Sequence, residues 1–243
     1  MKIFLDVGSN EGQTISSILD PVYGVNRTYC RYGFHKIYGF EPVPALHEVV
    51  SKKYRGPQFV FFPVGLWKGT CEKPIYSPGS QSGSIFADKI NVDPAHSTIC
   101  KFVRVSDWFR DYLAETDEVY VKLNCEGSEV DIIEDLLDSK EYRKITSLGV
   151  SFDVKKIPSQ RDREEQIKLR LQEEGYTNCV DLDLIPISSR RQRIQTWLSA
   201  AGAEQHSLIN RLAHIAYCSQ TPLVGVYRYT RRYIRRLHQP DGR

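Results

Sequence analysis

Residues 2–12 read KIFLDVGSNEG, and this stretch decides the fold. Lys2 to Asp6 is a short apolar run, Val7 to Gly12 is glycine-rich, and a helical pattern continues through Leu19, so the order is strand, loop, helix. Gly8 and Gly12 let the backbone turn tightly and approach a ligand closely. Asp6, at the strand end, puts a carboxylate beside that ligand, which suits a cationic aminoacyl group better than a pyrophosphate.

Outward from this unit the alternation repeats. KIYGF at 36–40 reads as a second strand, followed by a helix from Ala45 to Tyr54 that begins just after Pro44. FVFFPV at 59–64 is a third strand, with Pro63 at its end because proline cannot donate a ladder hydrogen bond. Residues 69–94, rich in Gly and Ser, predict a hairpin or mobile loop over the sheet edge. Phe102 to Val105 is a brief strand before a helix with Ser106 as its cap. EVYVKL at 118–123 leads through Asn124 to Glu129 into a helix ending near Leu137. A strand over 145–154 and a charged helix over 160–174, stopped by Gly175, complete the pattern. Such a rhythm predicts an α/β doubly wound, mostly parallel sheet, whose ligands bind beyond the carboxyl ends of the strands.

The 243 residues, 41% hydrophobic and 26% charged, have ordinary globular composition, which argues against a disordered or membrane-spanning chain. The apolar run at Met1 to Val7 is too short for a signal-peptide core of roughly 7–15 residues, so the expected location is cytoplasmic. Six cysteines lack any C-x-x-C pair, and the six histidines show no metal spacing, so no metal site is expected. The net charge of +3 is uneven. Residues 186–243 hold ten Arg, no Lys and two acids (+8), which leaves −5 for residues 1–185. The boundary expected from this shift separates a domain at 1–185 from an Arg-rich helical extension at 186–243, with helices over 191–201, 207–217 and 227–237. In the last, Tyr229, Tyr233 and Leu237 form a stripe beside five Arg, a basic amphipathic helix for an anionic membrane surface, for phosphate, or for packing on the domain itself.

A dinucleotide fingerprint needs G-x-G-x-x-G and an acid about 20 residues later. Here the glycines stand four apart, and the next strand-end acid, Glu41, lies 29 residues past Gly12. A carboxylate there accepts hydrogen bonds from ribose hydroxyls in either NAD or another nucleoside, so Glu41 alone does not discriminate.

Taken in order, FLDVGSNEG, YGFEPVP, FPVGLWKG and VYVKLNCEGSEVDIIEDL resemble the FkbM family of S-adenosylmethionine-dependent O-methyltransferases over residues 2–155. The resemblance implies a Rossmann-like class I methyltransferase fold and S-adenosyl-L-methionine as cofactor. It further implies Asp6, Gly8, Asn10 and Gly12 around the methionine part, Glu41 and Pro42 at the ribose, and Gly65 and Leu66 near the adenine. The pattern departs at Asn124, also expected at the cofactor, where the family has Asp; an amide keeps hydrogen bonding but cannot act as a base.

Methyl transfer to a hydroxyl needs a proton acceptor. Asp153 and Glu126 are the strand-end candidates, read against a solvated charge and a helix N-terminal acid respectively, and Asp153 is the preferred base. Lys122 and Lys155 either steer an anionic substrate or are surface lysines. The favoured expectation is an O-methyltransferase acting on a sugar hydroxyl of a glycan or glycoconjugate, with peripheral membrane contact through the tail. The rivals are an RNA 2′-O-methyltransferase and a cofactor-binding module without turnover; oligomeric state is left open.

Overall fold

The computed structural model describes residues 1–22, 27–30, 32–79 and 82–203; the expected helices over 207–217 and 227–237 lie outside them. The chain runs β1 (Lys2–Val7), α1 (Gln13–Ile18), β2 (Leu19–Val22), β3 (Arg27–Cys30), β4 (Lys36–Phe40), α2 (Pro44–Lys53) and β5 (Phe59–Phe62). It continues with β6 (Gly65–Trp67), β7 (Cys71–Tyr76), β8 (Ser97–Arg104), α3 (Val105–Tyr112), β9 (Glu118–Leu123) and α4 (Glu129–Asp138). The last elements are β10 (Ile145–Val150), α5 (Arg163–Glu173), β11 (Cys179–Asp181) and α6 (Arg190–Ala200).

Six strands form one parallel sheet in the order β11-β10-β9-β1-β4-β5. The chain winds outward from β1 in one direction through β4 and β5, then returns to wind the other way through β9, β10 and β11. This is the Rossmann-like doubly wound order, and its switch point lies between β1 and β9. Alternation sorts the strand side chains onto two faces. Ile3, Leu5 and Val7 join Val119, Val121 and Leu123 in one core, while Phe4 and Tyr120 join Ile15, Ile37 and Trp197 in the other. Lys2, Asp6 and Lys122 belong by parity to this second face.

α6, beyond the boundary expected at 185/186, packs on this second face. Trp197 is 1% exposed, donates from Nε1 to Ser147 Oγ at 2.9 Å, and lies where a side chain on Gly149 would have to be. Burying a large side chain of this kind contributes roughly 1.5–3 kcal/mol, enough to fasten the helix to the sheet.

The predicted loop over 69–94 is more ordered than its composition implies. β7 and β8 pair antiparallel and β6 joins β8 in parallel, giving a second, three-stranded sheet. β8 begins five residues earlier than the sequence pattern indicates, because Ile99 and Lys101 face outward while Cys100 and Phe102 are buried. β10 stops at Val150 rather than 154; the chain turns at Asp153 into a 3-10 segment, Val154–Lys156. Likewise α5 starts at Arg163, since Pro158–Gln160 is another 3-10 turn. The pair β2–β3 and the three-residue β11 were too short to show in the sequence. Among the described residues no helix is long and apolar enough to cross a membrane.

Ser106 does not cap α3. It lies inside the first turn, its hydroxyl is buried without a hydrogen-bond partner among the described residues, and its N–H donates to Asp135 Oδ2 of α4 at 3.0 Å. Asp135 also accepts from Arg104 Nε at 2.7 Å, so one buried carboxylate caps α3 from a neighbouring helix. Ser106→Ala removes a buried hydroxyl without a partner among the described residues and is therefore expected to leave stability unchanged or to raise it by up to about 1–3 kcal/mol. Asp135→Ala strands a buried N–H and is expected to cost about 1–3 kcal/mol in urea unfolding.

Candidate functional site

The carboxyl ends of β1, β4, β9 and β10 open into two adjoining cavities. Backbone geometry ties their loops together. The N–H groups of Gly8 and Ser9 both donate to Phe40 O, at 3.1 and 3.0 Å, clamping the first loop onto the end of β4. Gly8 has φ +77°, and a Cβ there would come within 2.1 Å of Asn124 O, so only glycine lets the loops after β1 and β9 approach.

The first cavity is a narrow slot of about 100 Å³. Gly8, Asn10, Glu41, Pro42, Gly65, Leu66 and Asn124 all line it. Its apolar walls include Ile75, Ile85 and Phe102 from the small sheet and its loop, none singled out by the sequence. The signal was the alternation over 71–76 and 97–104, which marks a sheet but not what it covers. Glu41 is 5% exposed, with Oε2 accepting from Asn10 N–H at 2.8 Å and Oε1 from Val43 N–H at 3.0 Å. Burial pushes its carboxyl above the usual range, opposed by those two donors. Each oxygen keeps a lone pair for a further donor.

Three expected site positions lie elsewhere. Asp6 does not line either cavity: it is fully buried on the α1/α6 face, and its Oδ1 pairs with Lys122 Nζ at 3.0 Å. The cause is register, since Asp6 and Lys122 are side-by-side partners on β1 and β9 with the same facing parity. Gly12 is away from the cavities as well. With φ +78° it starts α1, and a Cβ would collide with the Tyr54 ring at 2.4 Å, so it serves the turn and its packing. Lys155 points to Asp183 at 3.9 Å and is about half exposed; its neighbour Lys156 lines the second cavity instead. Lys122 is neither a surface lysine nor an available cation. Besides its ion pair with Asp6, its ammonium donates to Val7 O and Gly8 O at 3.3 and 3.0 Å.

The second cavity, about 380 Å³, is polar, with Thr14, Asn91, Asn124 and Ser151 in its walls. It shares Thr14, Lys122, Asn124, Glu126 and Arg190 with the slot, so these residues mark the junction. Glu126 is not in a helix. It sits in the loop before α4 at φ +58°, a conformation that costs a non-glycine residue of order 1–3 kcal/mol and persists because its surroundings hold it. Those surroundings are Glu129, which accepts from the N–H groups of Cys125 and Gly127 at 2.7 and 3.0 Å, and Ser84 Oγ, which donates to Glu126 O at 2.6 Å.

The Glu126 and Asp153 carboxyls interact. Burial, then the hydrogen bond and charge of Asp153, push Glu126 up to about 7, against the pull of Lys89. Burial works to raise Asp153 too, but the hydrogen bond from Glu126 and the ammonium of Lys156, 2.5 Å from Oδ1, outweigh it and hold Asp153 below the usual range. Of the pair, Glu126 is therefore the carboxyl that takes up a proton at the higher pH, and Asp153 the one that stays ionised. Lys89, 3% exposed, pairs with Glu126 and lies 3.9 Å from Asp153. No sequence motif marked Lys89, since it reaches the dyad from the loop between β7 and β8. Among the described residues no group of three His, Cys, Asp or Glu is placed to hold a metal ion.

The fold and this pair of cavities define a Rossmann-like α/β protein with a slot and an adjoining polar chamber at the carboxyl edge of its sheet. No protein-family model and no curated protein sequence matches the chain. Among solved structures it is similar to the crystal structure of methyltransferase FkbM from Methylobacillus flagellatus KT, with 13% sequence identity and a TM-score of 0.41 over 71% of this chain. The match covers 37% of that protein's chain, so this chain spans little more than a third of its length.

Proposed function

We propose that the chain is an S-adenosylmethionine-dependent O-methyltransferase whose acceptor is a sugar hydroxyl of a glycan or glycoconjugate. The observation that carries this reading is Glu41, a carboxylate at the end of β4 bonded to the backbone of the β1 loop, with lone pairs left for two ribose hydroxyls. The residues fit a sulfonium nucleoside. The slot has apolar walls that include Leu66 and Phe102, which suit a planar ring, and Gly8 of the β1 loop lines it.

When bound, this cofactor supplies a methyl group activated by the positive sulfur. The chain's own residues do the rest. The polar chamber offers hydroxyl and amide groups to a hydroxyl-rich acceptor, and holding it against the junction provides the proximity gain. The Glu126–Asp153 pair takes the acceptor's proton. Glu126, at the junction and poised near 7, receives it, while Asp153 stays ionised beside it. This pairing removes the need for an acid at Asn124, the feature that favoured a module without turnover. The RNA reading rests on the Arg-rich tail beyond residue 203, outside the described residues.

Calorimetry is expected to show binding of S-adenosylmethionine and S-adenosylhomocysteine and none of NAD. Tight NAD binding without the other two would overturn the assignment. Transfer of a radiolabelled methyl group to cell glycolipid, polysaccharide and RNA fractions is expected to label the first two; label in RNA alone would replace the acceptor class.

A further inference from the structure

A nucleoside with an amino-acid end would carry an α-carboxylate, and a buried or half-buried anion of that kind needs a cation. Among the described residues five cationic side chains line the two cavities: Lys89, Lys122, Lys156, Arg190 and Arg193. Lys122 is consumed by Asp6 and two carbonyls. Lys89 is held by Glu126 and Ser82 O, and Lys156 by Asp153. Arg193 donates to Asp183 Oδ1 at 2.9 Å and to Leu182 O at 3.4 Å. Arg190 remains: among the described residues it makes no ion pair or hydrogen bond, its charge acts at longer range on the buried Asp6, and it lines both cavities.

Its placement is built, because the helix that carries it is fastened to α1. The adjacent Arg191 donates to Ser16 O and Leu19 O at 3.1 and 3.4 Å, and Gln195 donates to Ser17 O at 2.9 Å. Trp197 and Leu198, two turns on, are buried in the core of the sheet's second face. Thr14 of α1 lies at the same junction as Arg190.

Resting on the methyltransferase reading, we propose that Arg190 binds the α-carboxylate of the cofactor's methionyl end, so that a residue beyond the sheet domain completes the cofactor site. A guanidinium meets a carboxylate through two parallel N–H donors, which fixes orientation as well as charge. The cofactor's grip thereby depends on α6 being docked.

The test uses the full chain and two nucleosides, S-adenosylhomocysteine and 5′-methylthioadenosine, which share adenine, ribose and thioether but differ in the amino-acid end. Arg190→Gln is expected to weaken S-adenosylhomocysteine binding by about 10- to 100-fold in calorimetry, the range for a charge-assisted hydrogen-bonded pair. Methylthioadenosine affinity should be unchanged, and Arg190→Lys should recover part of the loss. Equal S-adenosylhomocysteine affinity in wild type and variant, as when Arg190 serves an anionic acceptor instead, overturns the proposal. So does an equal loss for both nucleosides, which marks a structural role. Wild-type protein that binds neither nucleoside overturns the methyltransferase reading and this assignment together, an outcome distinct from either of those.

Discussion

Replacing Glu126 with Gln is expected to lower the rate of methyl transfer by about 10²–10⁴-fold while leaving S-adenosylhomocysteine affinity within a factor of a few, the range for loss of a general base. The pH profile provides the sharper check. A base works in its deprotonated form, so the wild-type rate should climb with pH and level off above about 7, where Glu126 has lost its proton. Asp153→Asn removes the neighbouring carboxyl, the cause of the raised value after burial itself, so the climb should move to lower pH. Stability has the opposite slope. A carboxyl raised in the folded state holds its proton more tightly there than in the unfolded chain. Its contribution is complete below the ordinary carboxylate range and is lost as pH rises through about 7. Glu129, also raised to about 7 by burial and then by Asp153, adds to the same trend. Melting curves across pH 5–8 therefore separate a catalytic limb from a loss of fold, because the two run in opposite directions. Full turnover by Glu126→Gln with an unshifted profile would remove the dyad from the chemistry.

Gly8→Ala is expected to abolish detectable cofactor binding and to destabilise the protein. Its φ of +77° belongs to the left-handed region, which costs an L-residue roughly 1–2 kcal/mol. The added methyl would stand 2.1 Å from Asn124 O and 3.0 Å from its carbonyl carbon, a backbone obstacle that no rotamer change relieves. Overpacking of this kind adds about 1–3 kcal/mol, so the combined loss is about 2–5 kcal/mol, or about 2–4 °C in melting temperature for each kcal/mol. Relief requires the β1 and β9 loops to separate, which moves Asn10 away from Glu41 and opens the slot. Retained S-adenosylhomocysteine binding with an unchanged melting temperature would show that the loops tolerate a wider gap than their contacts imply.

Much of the sheet was legible in local pattern. Alternating and continuous apolar runs at 2–6, 36–40, 59–64 and 118–123 mark strands, the third of which ends at Phe62, because burial on both faces of a parallel sheet demands such runs. Glycines at 8 and 175 announced backbone with positive φ. The missed elements are those whose form depends on what they pack against: the three-residue β11, and β8, whose exposed half looks like loop. Ser106 shows the same limit in a helix cap, where the residue with the right local chemistry lost the role to Asp135, 29 residues away.

The chain's local order, the periods of its apolar residues and the placement of its glycines, determined a doubly wound sheet with candidate ligand loops after β1, β4 and β9. Tertiary structure alone decided what each charge does. Asp6 and Lys122, 116 positions apart, pair because two strands lie in register; Glu126 and Asp153 shift one another's protonation because their loops converge; Arg190, at the start of α6, reaches the junction of both cavities because that helix docks on the sheet. Side-chain parity and backbone freedom are properties of a few consecutive residues. Coulombic attraction, desolvation and hydrogen bonding are set by distances and burial across the fold, which no local stretch of sequence contains.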